Sequence, residues 1–490
     1  MTNQAQLIAY VDRLSGGTVR QLHHLLTGPL RGLFGGVHVL PFFHPIDGAD
    51  AGFDPIDHAQ VDPRLGTWDD VAALAADTEV MADLIVNHVS IRSPQFADFD
   101  RRGTESPCAG MFLTFDRVFG AGANESDLLA LHTPRPHPPF TTHRTAHGDD
   151  VLLWTTFTSE QIDIDVHHPE GRRYLESVLN RFHAAGIRAI RLDAIGFAVK
   201  KAGTSCFMIP ETFAFIADIT ALSHARGMEV LVEVHGHHED QIAVARQVDW
   251  VYDFALPPLV LHALYARDVA HLCRWLEIRP HNAVTVLDTH DGIGVQDVDA
   301  DPRRPGPGLL PRGDIHALVE TIHERSRGES REASGTAAGN VDVHQINCTF
   351  YDALGRRDDE YLIARAIQCF VPGIPQIYYV GLLAGGNDME LLRRTGVGRD
   401  INRHYYVDDE VARAMERPVV QALCELLRFR NSHPSFDGTL HVSSAAPDQL
   451  VLEWRNGTSW SRLEVDLGRM RASIVATRMG QPSATLVWTT

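Results

Sequence analysis

Eight short apolar runs punctuate the chain, at positions 6–11, 36–43, 81–88, 188–193, 229–235, 248–254, 283–288 and 375–380. They are rich in branched residues and lack the alternation of a half-exposed strand, so each reads as a strand buried on both faces. Amphipathic stretches with helical spacing separate several of them, as at 172–185 and 211–226. Strands alternating with helices over this length predict an α/β fold, a (β/α)8 TIM barrel. Two connections are too long for ordinary loops. One spans about 89–186 and is rich in Pro, Phe and His; the other spans about 292–353, with a Pro-Gly-Pro-Gly run at 305–308 and small residues at 333–339. They follow strands three and seven and leave at the catalytic end of such a barrel, so they are expected to form a pocket rim. Beyond about residue 430, short alternating segments at 450–454 and 462–465 predict a small β domain. The expected division is a barrel in three pieces (1–88, 168–291 and 356–432), inserted domains at 89–167 and 292–355, and a C-terminal β domain at 433–490.

The same pattern places chemistry. Three of the runs lead into acid: Asp193, Glu233 and, through Asp288-Thr289-His290, Asp291. The acids are 40 and 58 residues apart, about one βα unit and then two. Carboxylates at the C-terminal ends of strands four, five and seven would converge on one pocket. One strand-end acid is commonly a helix cap. Three, accompanied by Arg191, His235 and His290, point instead to a site. Two carboxyls flanking one bond are the minimum equipment for cleaving a glycoside.

The bulk numbers narrow the class. The chain has 490 residues, 44% of them hydrophobic, which is enough for one barrel with insertions. A formal net charge of −19 disfavours a nucleic-acid partner. Six scattered cysteines, at 108, 206, 273, 348, 369 and 424, lack zinc or redox spacing and read as free thiols of a reducing compartment. With no signal-like start and no apolar run of membrane length, a cytoplasmic protein without a membrane partner is expected. The run His235-Gly236-His237-His238-Glu239-Asp240 has the look of a metal cluster. It follows a strand and no matching ligand set is found elsewhere, so His235 is expected in the pocket and the rest at a helix start. No metal and no cofactor are expected.

Longer motifs carry a resemblance. Asp83-Leu84-Ile85-Val86-Asn87-His88, Arg191-Leu192-Asp193, Glu233 and Thr289-His290-Asp291 occur in the order of the signature regions of the α-amylase superfamily, glycoside hydrolase family 13. The runs 41–43, 48–57, 135–136, 251–258, 287–294 and 398–406 are similar to those of sucrose phosphorylases, including a subgroup acting on sucrose 6′-phosphate. The resemblance implies a retaining glucosyl transfer to phosphate. Asp193 would be the nucleophile, Glu233 the acid and base, and Asp291 the group holding sugar hydroxyls, with Arg191 keeping Asp193 anionic. Asp50, His88, His290 and Arg399 would bind the glucosyl ring and Phe53 and Phe157 would wall it, although packing alone would also explain His88 and the two phenylalanines. Sugar and inorganic phosphate are the implied partners; a homodimer is compatible with the chain.

The acceptor end is where the sequence departs from ordinary sucrose phosphorylases. Arg135 and His235 are the candidates for phosphate. Asp342, His344 and Gln345, with Arg135, would complete the fructosyl site. His132, His344 and Phe197 stand where tyrosines are expected, and a His-rich rim suits an anionic leaving group, whereas Pro134 is the residue of the sucrose type. The expected donor is sucrose 6′-phosphate, with sucrose as the alternative and a plain α-glucosidase or transglucosidase as a second one. His132 and His344 as neutral rim residues is the reading to set against this.

Overall fold

A computed structural model describes the chain except for residues 48–49, 121, 136, 302–305, 336–344 and 478–483. The barrel strands are β1 (Gln6–Ala9), β2 (Gly36–Val39), β3 (Glu79–Ile85), β4 (Ala189–Asp193), β5 (Glu229–Val232), β6 (Trp250–Asp253), β7 (Ala283–Thr285) and β8 (Ile374–Tyr378). All are parallel and close in chain order, β1 pairing with both β2 and β8. The architecture is the (β/α)8 barrel that the alternation predicts. Several predicted strands overrun the ladder, as at 36–43, 229–235 and 283–288. Val234, Val286 and Leu287 are as buried as the strands before them. Hydrophobicity therefore continues into the mouth after the ladder has ended.

Helices Pro169–Ala184 and Pro210–His224 occupy the two amphipathic stretches, each with Pro in its first turn, where no intrahelical donor is needed. Between β3 and β4 the chain makes helix Pro94–Arg102, a hairpin of Phe140–Arg144 with Asp150–Trp154, and an antiparallel pair of His88–Ser90 with Gln161–Asp163. After β7, Ile293–Gly294 pairs antiparallel with Gln345–Ile346. This pairing returns the second insertion to the mouth.

Five antiparallel strands end the chain: β9 (Thr439–Ser443), β10 (Gln449–Asn456), β11 (Ser459–Asp466), β12 (Arg471–Thr477) and β13 (Ala484–Thr489). The sheet docks through indoles: Trp454 Nε1 donates to Phe370 O at 2.7 Å and Trp488 Nε1 to Ala422 O at 3.0 Å. Among the described residues no helix is long and apolar enough to cross a membrane.

Candidate active site

Asp193 is the last residue of β4, Glu233 follows β5, and Asp291 lies in the loop after β7. All three open into one cleft. Residues two apart on a strand share a face, so Arg191 and Asp193 both point inward. The guanidinium spans both carboxylates: Nη1 lies 3.1 Å from Asp193 Oδ1 and Nη2 2.6 Å from Glu233 Oε1. Nη1 also pairs with Asp83 on β3, whose other oxygen lies 3.0 Å from His38 Nε2. Ala194, next to Asp193, is left-handed (φ 53°), a strained conformation for a residue with a Cβ. It turns the Ala194 N–H toward Glu233 Oε2, at 3.4 Å.

Burial and the neighbouring charges pull on the two carboxyls in opposite directions. Burial drives the Asp193 carboxyl well above the usual range; Arg191 opposes this and the nearby Glu233 adds to it. For Glu233, burial is outweighed by Arg191 and His235, which bring it down to about 2. The Arg191 guanidinium, in ion-pair reach of both carboxylates, favours the charged form of each against burial.

One end of the cleft suits a sugar ring. Arg399 Nη1 lies 2.8 Å from Asp291 Oδ1 and 4.0 Å from Asp50 Oδ1. The Phe53 ring stacks on His290 at 4.8 Å and 12°. Phe157 meets the edge of His88 at 5.4 Å, and His88 Nε2 donates to the Phe53 carbonyl at 3.0 Å. Burial lowers the His290 pKa to about 3, although Asp291 opposes it, so the ring is neutral. Arg403 Nε donates to His290 O at 2.8 Å and Asn402 Nδ2 to Thr289 O at 2.8 Å, fixing the loop that carries Asp291.

The other end is cationic. His235 stacks on Phe254 at 4.0 Å, with Nε2 3.4 Å from Glu233 Oε1 and 3.2 Å from Gln345 Nε2. Burial lowers its pKa, but the carboxylates of Asp297 and Glu233 outweigh burial and raise it to about 10. Arg135 also lines the cleft; burial and Arg399 lower its pKa, against Asp50 and Asp291. An arginine stays charged under such shifts. Gln345 Oε1 accepts from Arg399 Nη2 at 3.3 Å, tying the second insertion to the sugar end.

The cleft thus gathers Asp50, Phe53, His88, Arg135, Phe157 and the three acids with His235, His290, Gln345 and Arg399. Arg191 lies beneath it. His132 packs against two lining rings, 4.5 Å from Phe207 and 5.8 Å from Phe197, and neither His132 nor Pro134 is itself among the lining residues. Asp342 and His344 lie outside the described residues. Of the histidine run, His235 turns inward, while His237 caps helix His238–Ala245 and His238 sits edge-on to Trp275. Ligand atoms of Glu233, His235 and Asp291 come within 4.8 Å of one another, each also facing an oppositely charged partner: Arg191, Asp297 and Arg399. Sequence reasoning missed Phe207, Gln161 and Asp297. Phe207 lies in a loop and Gln161, beside Asp50 and His88, opens a three-residue strand too short to show a period, and Asp297 lies just past the run 287–294.

Residues 33–256 match the α-amylase catalytic domain. The chain is 60% identical to a sucrose phosphorylase of Agrobacterium vitis, over 97% of each chain. The chain belongs to the sucrose phosphorylase family. It is 50% identical to the sucrose phosphorylase of Bifidobacterium adolescentis, over 94% of this chain and 92% of that one. A solved sucrose 6F-phosphate phosphorylase from Thermoanaerobacter thermosaccharolyticum superposes with a TM-score of 0.91 at 37% identity, over 99% of both chains. As a member of this family the chain is an enzyme, a phosphorylase of the glycosyltransferase type.

Proposed function

We propose that the chain moves an α-glucosyl group from a fructoside to phosphate, with net retention, through a β-glucosyl ester of Asp193. In the first step an Asp193 carboxylate oxygen attacks the anomeric carbon. The bond to the fructosyl oxygen breaks, and Glu233 gives that oxygen its proton. In the second step a phosphate oxygen attacks the same carbon, the bond to Asp193 breaks, and the Glu233 carboxylate takes the acceptor's proton. Two inversions restore the α configuration, giving α-glucose 1-phosphate. Asp291, gripped by Arg399, would hold ring hydroxyls, and Phe53 with His290 would wall the ring.

The observation that carries this reading is the cationic end of the cleft. A hydrolase needs only water beside Glu233. Here an imidazolium and Arg135 border the space an acceptor enters, and both make charge-assisted bonds to phosphate oxygens. A fructosyl group entering between His235 and Glu233 weakens a cation's hold on Glu233, while positive charge developing at the anomeric carbon stabilises ionised Asp193.

Sucrose is the donor this reading favours. The relatives at 60% and 50% identity carry that name. Sucrose 6′-phosphate is the second reading, favoured by the histidine at 344 and the close structural match to an enzyme named for it. The test is phosphate-dependent release of α-glucose 1-phosphate from the two donors at equal, low concentration. A preference for the phosphorylated donor that His344→Tyr abolishes would select the second reading. Release of free glucose alone from both would overturn phosphorolysis. The six cysteines, all free, support a reducing, cytoplasmic location.

A further inference from the structure

Asp297 is fully buried, in a short turn after strand Ile293–Gly294. Its Oδ1 accepts from Gly236 N at 3.2 Å and Gln241 Nε2 at 3.3 Å. Its Oδ2 faces His235 Nδ1 at 3.7 Å. Both atoms are buried, and neither has a hydrogen-bond partner among the described residues. A buried carboxylate oxygen and a buried ring nitrogen left facing each other are satisfied only with a proton on that nitrogen, because neither can find water. The approach depends on Gly294, where a Cβ would come within 2.6 Å of Asp297 Oδ2.

We propose that Asp297 is a positioning residue for the anionic acceptor: its carboxylate holds the proton on His235 Nδ1, so that Nε2 and the ring's charge face the space beside Glu233. This rests on the phosphorylase reading above. The ring has two useful states. With one proton, held on Nδ1, Nε2 accepts from Gln345 Nε2, 3.2 Å away. With two, Nε2–H donates to a phosphate oxygen or to Glu233 Oε1, 3.4 Å away. The opposite tautomer would present a bare Nδ1 to a buried carboxylate and is disfavoured. The groups that set the charge come from separate elements: Glu233 after β5, Asp291 and Asp297 after β7, with Phe254 after β6 stacked on the ring. Glu233 must alternate between charged and neutral during turnover. Asp297 takes no part in the chemistry, so it is the partner able to keep the ring cationic throughout.

The test has two arms. In ¹⁵N-histidine NMR of the wild-type enzyme, with His235 assigned from the His235→Gln spectrum, the ring is expected to stay doubly protonated above neutral pH and to retain its proton on Nδ1 once it titrates. A Nε2–H tautomer, or titration near the ordinary value of about 6.5, would overturn the proposal. In the second arm, Asp297→Asn keeps an acceptor for Gly236 and Gln241 but loses the charge. At about pH 8, its KM for phosphate is expected to rise about tenfold, as for a ring pKa that falls below the assay pH by one unit, while kcat at saturating phosphate changes less than about threefold. Gly294→Ala, which displaces the same oxygen, is expected to move KM in the same direction. A KM unchanged in Asp297→Asn, or a loss confined to kcat, would mark a purely structural aspartate and overturn the proposal. If wild-type enzyme makes no glucose 1-phosphate at all, the phosphorylase reading fails by itself, and the NMR arm still decides whether Asp297 fixes the ring.

Discussion

Nη2 of Arg191 lies 2.6 Å from Oε1 of Glu233, while Nη1 of the same buried guanidinium lies 3.1 Å from Oδ1 of Asp193. One cation therefore serves both carboxylates, and Asp83 as a third partner. Its removal would leave three buried acids without a shared counter-charge. Arg191→Leu is expected to lower unfolding free energy by about 3–5 kcal/mol, the range for breaking a buried pair from one side. Turnover is expected to fall at least about a hundredfold. Denaturant unfolding and steady-state kinetics check the two effects separately. A variant with wild-type stability would show that the carboxylates find other partners.

The assignment of acid and nucleophile is separable by leaving group. Asp193→Ala and Glu233→Gln are each expected to cost at least about a hundredfold in turnover on the natural donor. With α-glucosyl fluoride, whose departure needs little protonation, Glu233→Gln should recover the first step and Asp193→Ala should not. Recovery in Asp193→Ala instead would exchange the two roles.

The barrel was legible because parallel strands buried on both faces leave continuous apolar runs. All eight found their places, and the acids at the ends of β4 and β5 could be read as mouth residues. The runs could not show where hydrogen bonding stops, since Val234 and Leu287 stay buried past their ladders. Partners that arrive from insertions were also invisible. Asp297, 62 residues after His235 in the chain, meets it through bonds from Gly236 and Gln241, and no local pattern encodes that meeting. Likewise, no local pattern shows that His132 packs against Phe207 and Phe197.

Asp83 makes an acid-dependent contribution to stability. Burial would raise its pKa, but His38 and Arg191 outweigh burial and hold it at about 2. The folded pKa lies below the unfolded value near 3.9, so the stabilisation is present above about pH 4 and is lost as pH falls toward 2. The difference in unfolding midpoint between wild type and Asp83→Asn should therefore be largest near neutrality and shrink across that window. A difference that stays constant down to about pH 2 would mean that the carboxylate's charge contributes nothing.

Lys200 gives a test of how the rim is held. Its side chain is 1% exposed, and Nζ lies 2.7 Å from Asp163 Oδ2 on the strand that pairs with His88–Ser90. It also donates to Asn87 Oδ1 at 3.0 Å and to the carbonyl of Phe197, which lines the cleft. Lys200→Met would strand Asp163, whose remaining partners are the N–H of Thr156 at 2.9 Å and its hydroxyl at 2.5 Å. The expected loss is about 3–5 kcal/mol, with KM for the donor rising more than kcat falls, because Phe197 loses its anchor while the acids keep theirs. Asp163→Asn removes the stranded charge, so the double variant should be less destabilised than the sum of the singles. Losses that simply add would mean that lysine and aspartate act independently.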